Sequence, residues 1–124
     1  MPPISLDSPT TALVVIDLQQ GIAGSLTVPY SAADVVSRTA RVATYFREHH
    51  ALVVLVNVDP GPAGVLFPRA ITDIERPPMR PTPDWADLVP ELGATDTDIR
   101  VTKHQPGAFY NTDLETQLRR RGIT

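Results

Sequence analysis

Two unbroken apolar runs, each closed by a carboxylate, constrain this chain more than any other feature: "TALVVID" from Thr11 to Asp17 and "ALVVLVNVD" from Ala51 to Asp59. A strand with one wet face alternates polar and apolar residues. A run without alternation therefore belongs to a strand covered on both faces, as in a parallel sheet packed between helices. The segment between the runs supplies the crossover. Ser31 followed by Asp34 predicts a helix start, and Ala32, Val35, Val36, Thr39, Ala43 and Phe46 keep helical spacing to about His49. Asp34, Arg38, Arg41 and Glu48 take the opposite face, and the whole reads as a right-handed β-α-β unit.

Past Asp59 the texture changes. Seven of the chain's 13 prolines fall in 59–83, together with Gly61 and Gly64. Proline neither donates to a ladder nor sits inside a helix, so this stretch reads as an irregular surface excursion long enough to act as a lid or a partner contact. "PDWADLVPEL" allows one or two helical turns with Trp85, Leu88 and Leu92 on one side, and "DIRVTK" alternates as an edge strand does. Thr112 with Glu115 predicts a capping box, Leu114 and Leu118 form a narrow apolar stripe, and Gly122 is the expected left-handed stop. The elements together predict one α/β domain over 1–124, a three-layer Rossmann-like fold whose parallel sheet runs in the order 3-2-1. Its first strand, the most apolar, should be central in a complete fold. The closing "GIT" reads as the lead into a fourth strand on that far side, so the expectation is an incomplete domain, truncated before strand 4.

Composition narrows the function classes. The 124 residues are 42% hydrophobic, enough to bury a core, and the net charge is −3. The basic cluster Arg119 to Arg121 lies at a helix end, where cations complement the dipole, so no nucleic-acid partner is expected. There is no cysteine, which removes disulfides, thiolate metal sites and a thiol nucleophile from these residues. "MPPISLDSPTT" has neither a basic leader nor an apolar core, and no run approaches the about 20 apolar residues of a membrane span. A cytoplasmic protein acting on a small molecule, without membrane contact, is the expectation.

Ligands of such sheets bind beyond the carboxyl ends of the strands. Asp17 and Lys103 both end strands there, either as a reactive pair or as a structural ion pair. Gln19 and Gln20 follow Asp17 and either face the pocket or hold the turn. Phe109 and Tyr110 are candidates to line a substrate pocket, with Phe109 packed under its own loop as the alternative. Trp85 reads as a core or subunit-contact aromatic ahead of a substrate clamp, and His104 as a solvated residue ahead of a base. His49 and His50 suit a helix C-terminus, and "GIAG" lacks the glycine spacing of a dinucleotide loop, which leaves a flavodoxin-like or nucleotide-binding reading without a phosphate cradle.

"ALVVIDLQQG" together with "VTKHQPGAFYNTDLETQLRRRGI" resembles the isochorismatase-like hydrolases, the cysteine hydrolase group that includes nicotinamidases and N-carbamoylsarcosine amidases. The resemblance covers nearly the whole chain outside the proline-rich excursion. It is carried by an aspartate in a V-x-D-x-Q context and by a lysine followed by a small residue, Ala-Phe and Thr-x-Leu. It implies an Asp-Lys-Cys site in which the aspartate takes the thiol proton, the lysine orients the charges, and the thiolate attacks an amide or related carbon, with backbone amides as the oxyanion hole. By motif position Asp17 is the acid/base and Lys103 its partner; the nucleophile belongs just after a fourth strand. The text also resembles an uncharacterised branch lacking that cysteine, and isochorismatases proper protonate an enol ether from the aspartate, which needs no thiol. The nicotinamidase metal site calls for a histidine near Asp59, and none follows it, so no metal and no cofactor are expected. The resemblance further implies a homo-oligomer in the full-length form. A reading from another class is a catalytically inactive domain serving as an interaction module through the uncovered edge of its first strand.

Overall fold

The computed structural model describes every residue except Met1, Pro68, Ala70 and Arg76. Both apolar runs are strands: β1 spans Ala12–Ile16 and β2 spans Leu52–Val58, and the alternating segment near residue 100 forms β3, Ile99–Lys103. All pairing is parallel in the order β1-β2-β3, with Ile16 opposite Val56 and Val58 opposite Lys103. The 3-2-1 winding agrees with the sequence reading. Among the described residues β2 is the strand with neighbours on both sides, and β1 pairs on one side alone.

The non-alternating texture of the strands is explained by two separate cores. Val15, Val53 and Leu55 pack on one face against Val36 and Ala43 of helix α2 (Ala32–Glu48) and against Val89 and Leu92. Val54, Val56 and Val101 pack on the other against Ala108 and Leu114, the first residue of α3 (Leu114–Arg120). Full burial of each such side chain contributes about 1.5–3 kcal/mol. Ser31 caps α2 as predicted, its Oγ accepting the Asp34 N–H at 3.1 Å and donating to the Asp34 carboxylate at 2.7 Å. Val35, placed on the inner face by spacing, is instead exposed.

A single helical turn, α1 (Gln20–Ala23), follows β1. Two expectations are corrected. "PDWADLVPEL" forms turns, an isolated antiparallel bridge from Gln19 to Leu88 and a short 3-10 turn at Pro90–Leu92, because Pro90 interrupts any continuous helix. The Thr112/Glu115 capping box is absent: Glu115 pairs with Arg119 at 2.8 Å, while Thr112 donates to the Ala108 carbonyl at 2.6 Å and accepts the Leu114 N–H at 3.4 Å.

Gly122 ends α3 with φ +67°, the left-handed conformation anticipated for it. Beyond it Thr124 N–H donates to the Thr10 carbonyl at 3.1 Å, which lays the chain's last residue beside the entry to β1. Among its described residues the excursion at 59–83 is irregular apart from a 3-10 turn at Pro62–Gly64; Pro68, Ala70 and Arg76 lie outside the described residues. No helix among the described residues is long and apolar enough to cross a membrane.

Candidate active site

The parallel register sets three strand ends side by side, and Asp17, Val58 and Lys103 mark them. Asp17 leaves β1 with φ +65°, a left-handed conformation that aspartate tolerates better than most side chains. Its N–H still donates to the Val56 carbonyl at 2.9 Å, so the ladder holds the residue while the left-handed turn breaks the alternation of the strand. A rare conformation persists where the surroundings over-determine it, and such residues concentrate at functional sites.

Lys103 continues the inward face of β3 after Ile99 and Val101, and its side chain is only 3% exposed. A buried ammonium needs acceptors, since desolvating it unpaired costs several kcal/mol. It finds two. Nζ donates to Asp17 Oδ2 at 3.2 Å and to the Pro106 carbonyl at 2.7 Å. The second contact explains the loop after β3: Gln105 donates to the Tyr110 carbonyl at 2.7 Å and Thr112 to that of Ala108, folding the loop so that Pro106 faces the lysine. Asp17 Oδ1 lies 3.1 Å from the same ammonium, is buried, and accepts no hydrogen bond among the described residues. The Asp17 side chain is 35% exposed. The pair is thus anchored from the lysine side and partly open to solvent on the aspartate side.

A cavity of about 390 Å³ opens over the pair, lined by Asp17, Val58, Phe67, Arg69, Lys103, Gln105 and Pro106. That size suits a small molecule. Asp17 and Lys103 are brought together there, as strand-end placement predicts. Gln19 is not: it is fully buried, accepting the Val58 N–H at 2.7 Å and donating to the carbonyls of Val58 at 2.8 Å and Trp85 at 3.1 Å. The sequence reading that sent it to the ligand is replaced by a clamp between β2 and the Trp85 segment. Phe109 and Tyr110 stand exposed outside the cavity lining, and Phe109 is not packed under its own loop either.

Trp85 is half-buried over Gly21, where a Cβ would run into the indole, so its role is to seat α1. His104 Nδ1 contacts the Asp59 carbonyl at 2.9 Å, and the Asp59 carboxylate accepts the Gly61 N–H at 2.8 Å, bending the chain into the excursion. Among the described residues no group of three or more histidines and carboxylates could hold a metal ion.

Sequence reasoning missed Phe67, Arg69 and Gln105. The excursion has no periodicity from which an inward direction could be read, and Gln105 was one loop residue among several. The signal that could have found Gln105 is its place two residues after a strand-end lysine.

The sequence model of the isochorismatase domain matches residues 11–124. The chain is 43% identical over 120 residues to the uncharacterised isochorismatase family protein YecD of Escherichia coli O157:H7, covering 97% of this chain and 64% of that one. A solved isochorismatase family protein from Burkholderia thailandensis superposes with a TM-score of 0.86 at 46% identity, covering 97% of this chain and 63% of the other. The N-carbamoylsarcosine amidase of Thermoplasma acidophilum superposes with a TM-score of 0.65 at 27% identity, over 90% and 62% of the two chains. The chain therefore spans a little under two thirds of the length of these relatives.

Proposed function

This chain belongs to the isochorismatase family, whose structural relatives include hydrolases, and from that premise we propose that it forms the Asp-Lys part of a hydrolase site acting on a small amide, imide or enol ether. The observation that carries the reading is the buried Lys103 ammonium fixed on Asp17, whose partly exposed side chain lines the cavity. In this reading Asp17 is the general acid/base and Lys103 the positioning cation. For an amide, Asp17 takes the proton of an incoming nucleophile as that nucleophile bonds to the carbonyl carbon, then gives the proton to the departing nitrogen as the C–N bond breaks. The 124 residues contain no cysteine, so a thiol nucleophile, where the reaction uses one, comes from outside them. For an enol ether the same carboxyl group protonates the alkene carbon, water adds to the resulting oxocarbenium carbon, and the hemiketal so formed breaks its C–O bond to release the alcohol. A single domain, cytoplasmic location and self-association belong to the same proposal.

Turnover of a panel of small amides, imides and enol ethers by the protein as the organism makes it tests the assignment. Asp17→Asn should lower kcat by about 10²–10⁴-fold, the range for losing a positioned acid/base. Undiminished activity in that variant would sink it. A second reading, an interaction module, is favoured by the one-sided pairing of β1. It predicts no turnover with any of the panel and concentration-dependent association in light scattering.

A further inference from the structure

The outward face of α2 carries a pattern that the fold does not use. Thr44, Tyr45 and Glu48 stand three, four and seven residues after Arg41, which puts all of them on one stripe of the helix, and all four are exposed. Arg41 and Glu48 have no partner on their own helix. The residues three and four positions from Arg41 are Ser37, Arg38, Thr44 and Tyr45, and those from Glu48 are Thr44, Tyr45, Ala51 and Leu52, so neither meets an opposite charge at helical spacing. Neither enters an ion pair elsewhere among the described residues. Tyr45, between the two charges, is held as an anchor: its ring stacks on His49 at a centroid distance of 3.9 Å, and His49 Nδ1 contacts the Tyr45 carbonyl at 2.8 Å. Exposed apolar surface flanks it. Val42 lines one shallow hollow with Tyr45, and Ile4 and Leu6 line another with the same ring. Thr44 donates its hydroxyl to the Ala40 carbonyl at 3.0 Å, so covering it strands no donor.

We infer that this stripe is a contact between two copies of the chain, their α2 helices antiparallel about a two-fold axis that passes between Thr44 and Tyr45. A residue before the axis then meets the one equally far past it, so Arg41 of each copy faces Glu48 of the other, and the two Tyr45 rings meet beside the axis. The stripe is complementary to itself, which singles out a second copy as its occupant. A register that set Arg38 against Glu48 would draw Arg38 away from Tyr30, over whose ring its guanidinium lies at 4.8 Å. Exposed ion pairs add little affinity; they fix register and partner, while the aromatic and apolar centre holds the contact. One helix face per copy falls below the about 1,200 Å² of a standard interface, so the dimer is a weak one. The contact centres on the half of α2 that leads into β2, at the amino end of the sheet, and leaves the cavity at the carboxyl ends open. It gives a place to the self-association named above and is independent of the chemistry proposed with it.

Charge reversal followed by sedimentation velocity, on the protein as the organism makes it and at low salt, tests the contact. Arg41→Glu and Glu48→Arg each set two like-charge pairs across the axis, and each should weaken association by at least about tenfold. Mixed one to one, the two variants should associate to within about threefold of the parent, because each supplies the charge that the other has lost, and the doubly substituted chain should do the same. Tyr45→Ala should also weaken association by about tenfold or more. These positions are exposed and both charged replacements are good helix formers, so every variant should keep the parent's circular dichroism and thermal midpoint. Association that survives either single reversal, a mixture that stays apart, or a parent that is monomeric up to about 1 mM would each overturn the inference. Association through the free flank of β1 instead would show itself as the first of these outcomes. All of them leave the hydrolase reading standing, since that reading falls on turnover by Asp17→Asn.

Discussion

Gln19 shows how much a single buried side chain does around this site. Its amide is both donor and acceptor to the two polar groups of Val58 and a donor to Trp85, closing the end of β2 against the segment that packs on α1. Truncation would strand a buried N–H and two buried carbonyls. Gln19→Ala should therefore destabilise the protein by on the order of 3 kcal/mol in urea unfolding. A loss below about 0.5 kcal/mol, the scale of a surface change, would show that the clamp is dispensable. At Asp17, φ +65° and a buried Oδ1 lying 3.1 Å from Lys103 Nζ come together on one residue, anchored by its own N–H on Val56. Lys103 is held by Pro106, a residue whose contribution is a carbonyl and whose side chain is incidental to that contact.

Between elements, one ion pair ties α2 to the entry of β3. Arg47 Nε and Nη2 donate to the two Asp98 oxygens at 3.0 and 2.7 Å, Nη1 donates to the Leu92 carbonyl at 3.0 Å, and the Thr95 N–H donates to Asp98 at 2.9 Å. The Asp98 side chain is 1% exposed. Burial pushes its carboxyl upward, but the Arg47 and Thr95 hydrogen bonds and the Arg47 charge outweigh that, leaving it below the usual carboxylate value. A carboxyl depressed in the folded state stabilises above its unfolded pKa of about 3.9, and that contribution is lost as pH falls through the lower folded value. Asp98→Asn should cost about 2–3 kcal/mol at neutral pH. The gap between variant and parent should stay flat above about pH 5 and narrow below about pH 4, measured by thermal unfolding across pH. A gap that widened on acidification would contradict the sign.

For the molecule as a whole, the sheet is unequal on its two sides. β2 has neighbours on both flanks and residues on both faces that are almost wholly buried, whereas β1 has a free flank among the described residues. Because Asp17 N–H points to β2, strand alternation sends the N–H groups of Leu13 and Val15 the same way and those of Ala12, Val14 and Ile16 outward. Native-state hydrogen exchange should show β2 slowest, Leu13 and Val15 protected, and Val14 and Ile16 exchanging at least about 100-fold faster, as sheet edges open more readily than centres. Protection of Val14 and Ile16 comparable to that of Val15 would mean that the free flank is covered in solution by a further strand, and only protection that rises with protein concentration would assign that strand to another chain, as the interaction-module reading requires.

Alternation and its absence determined the parallel α/β sheet, its 3-2-1 order, the cap of α2 and the stop of α3, because those features follow from local spacing and from residues with one dominant conformational habit, such as Ser31 and Gly122. The same logic put Asp17 and Lys103 at one sheet end, since strand ends in a parallel sheet share a side. What faces the cavity was decided by tertiary structure. Gln19 turned into the protein because unpaired β2 groups needed its amide, Phe109 and Tyr110 turned out, and Arg69 came in from a proline-rich segment with no period to read. Lys103 could be seen in the sequence as a strand-end cation, but its hold on Asp17 depends on a loop fold that brings the Pro106 carbonyl beneath it. Local pattern specifies an element's type and inward face. Long-range hydrogen-bond demand and packing specify which polar side chains are left over for a ligand.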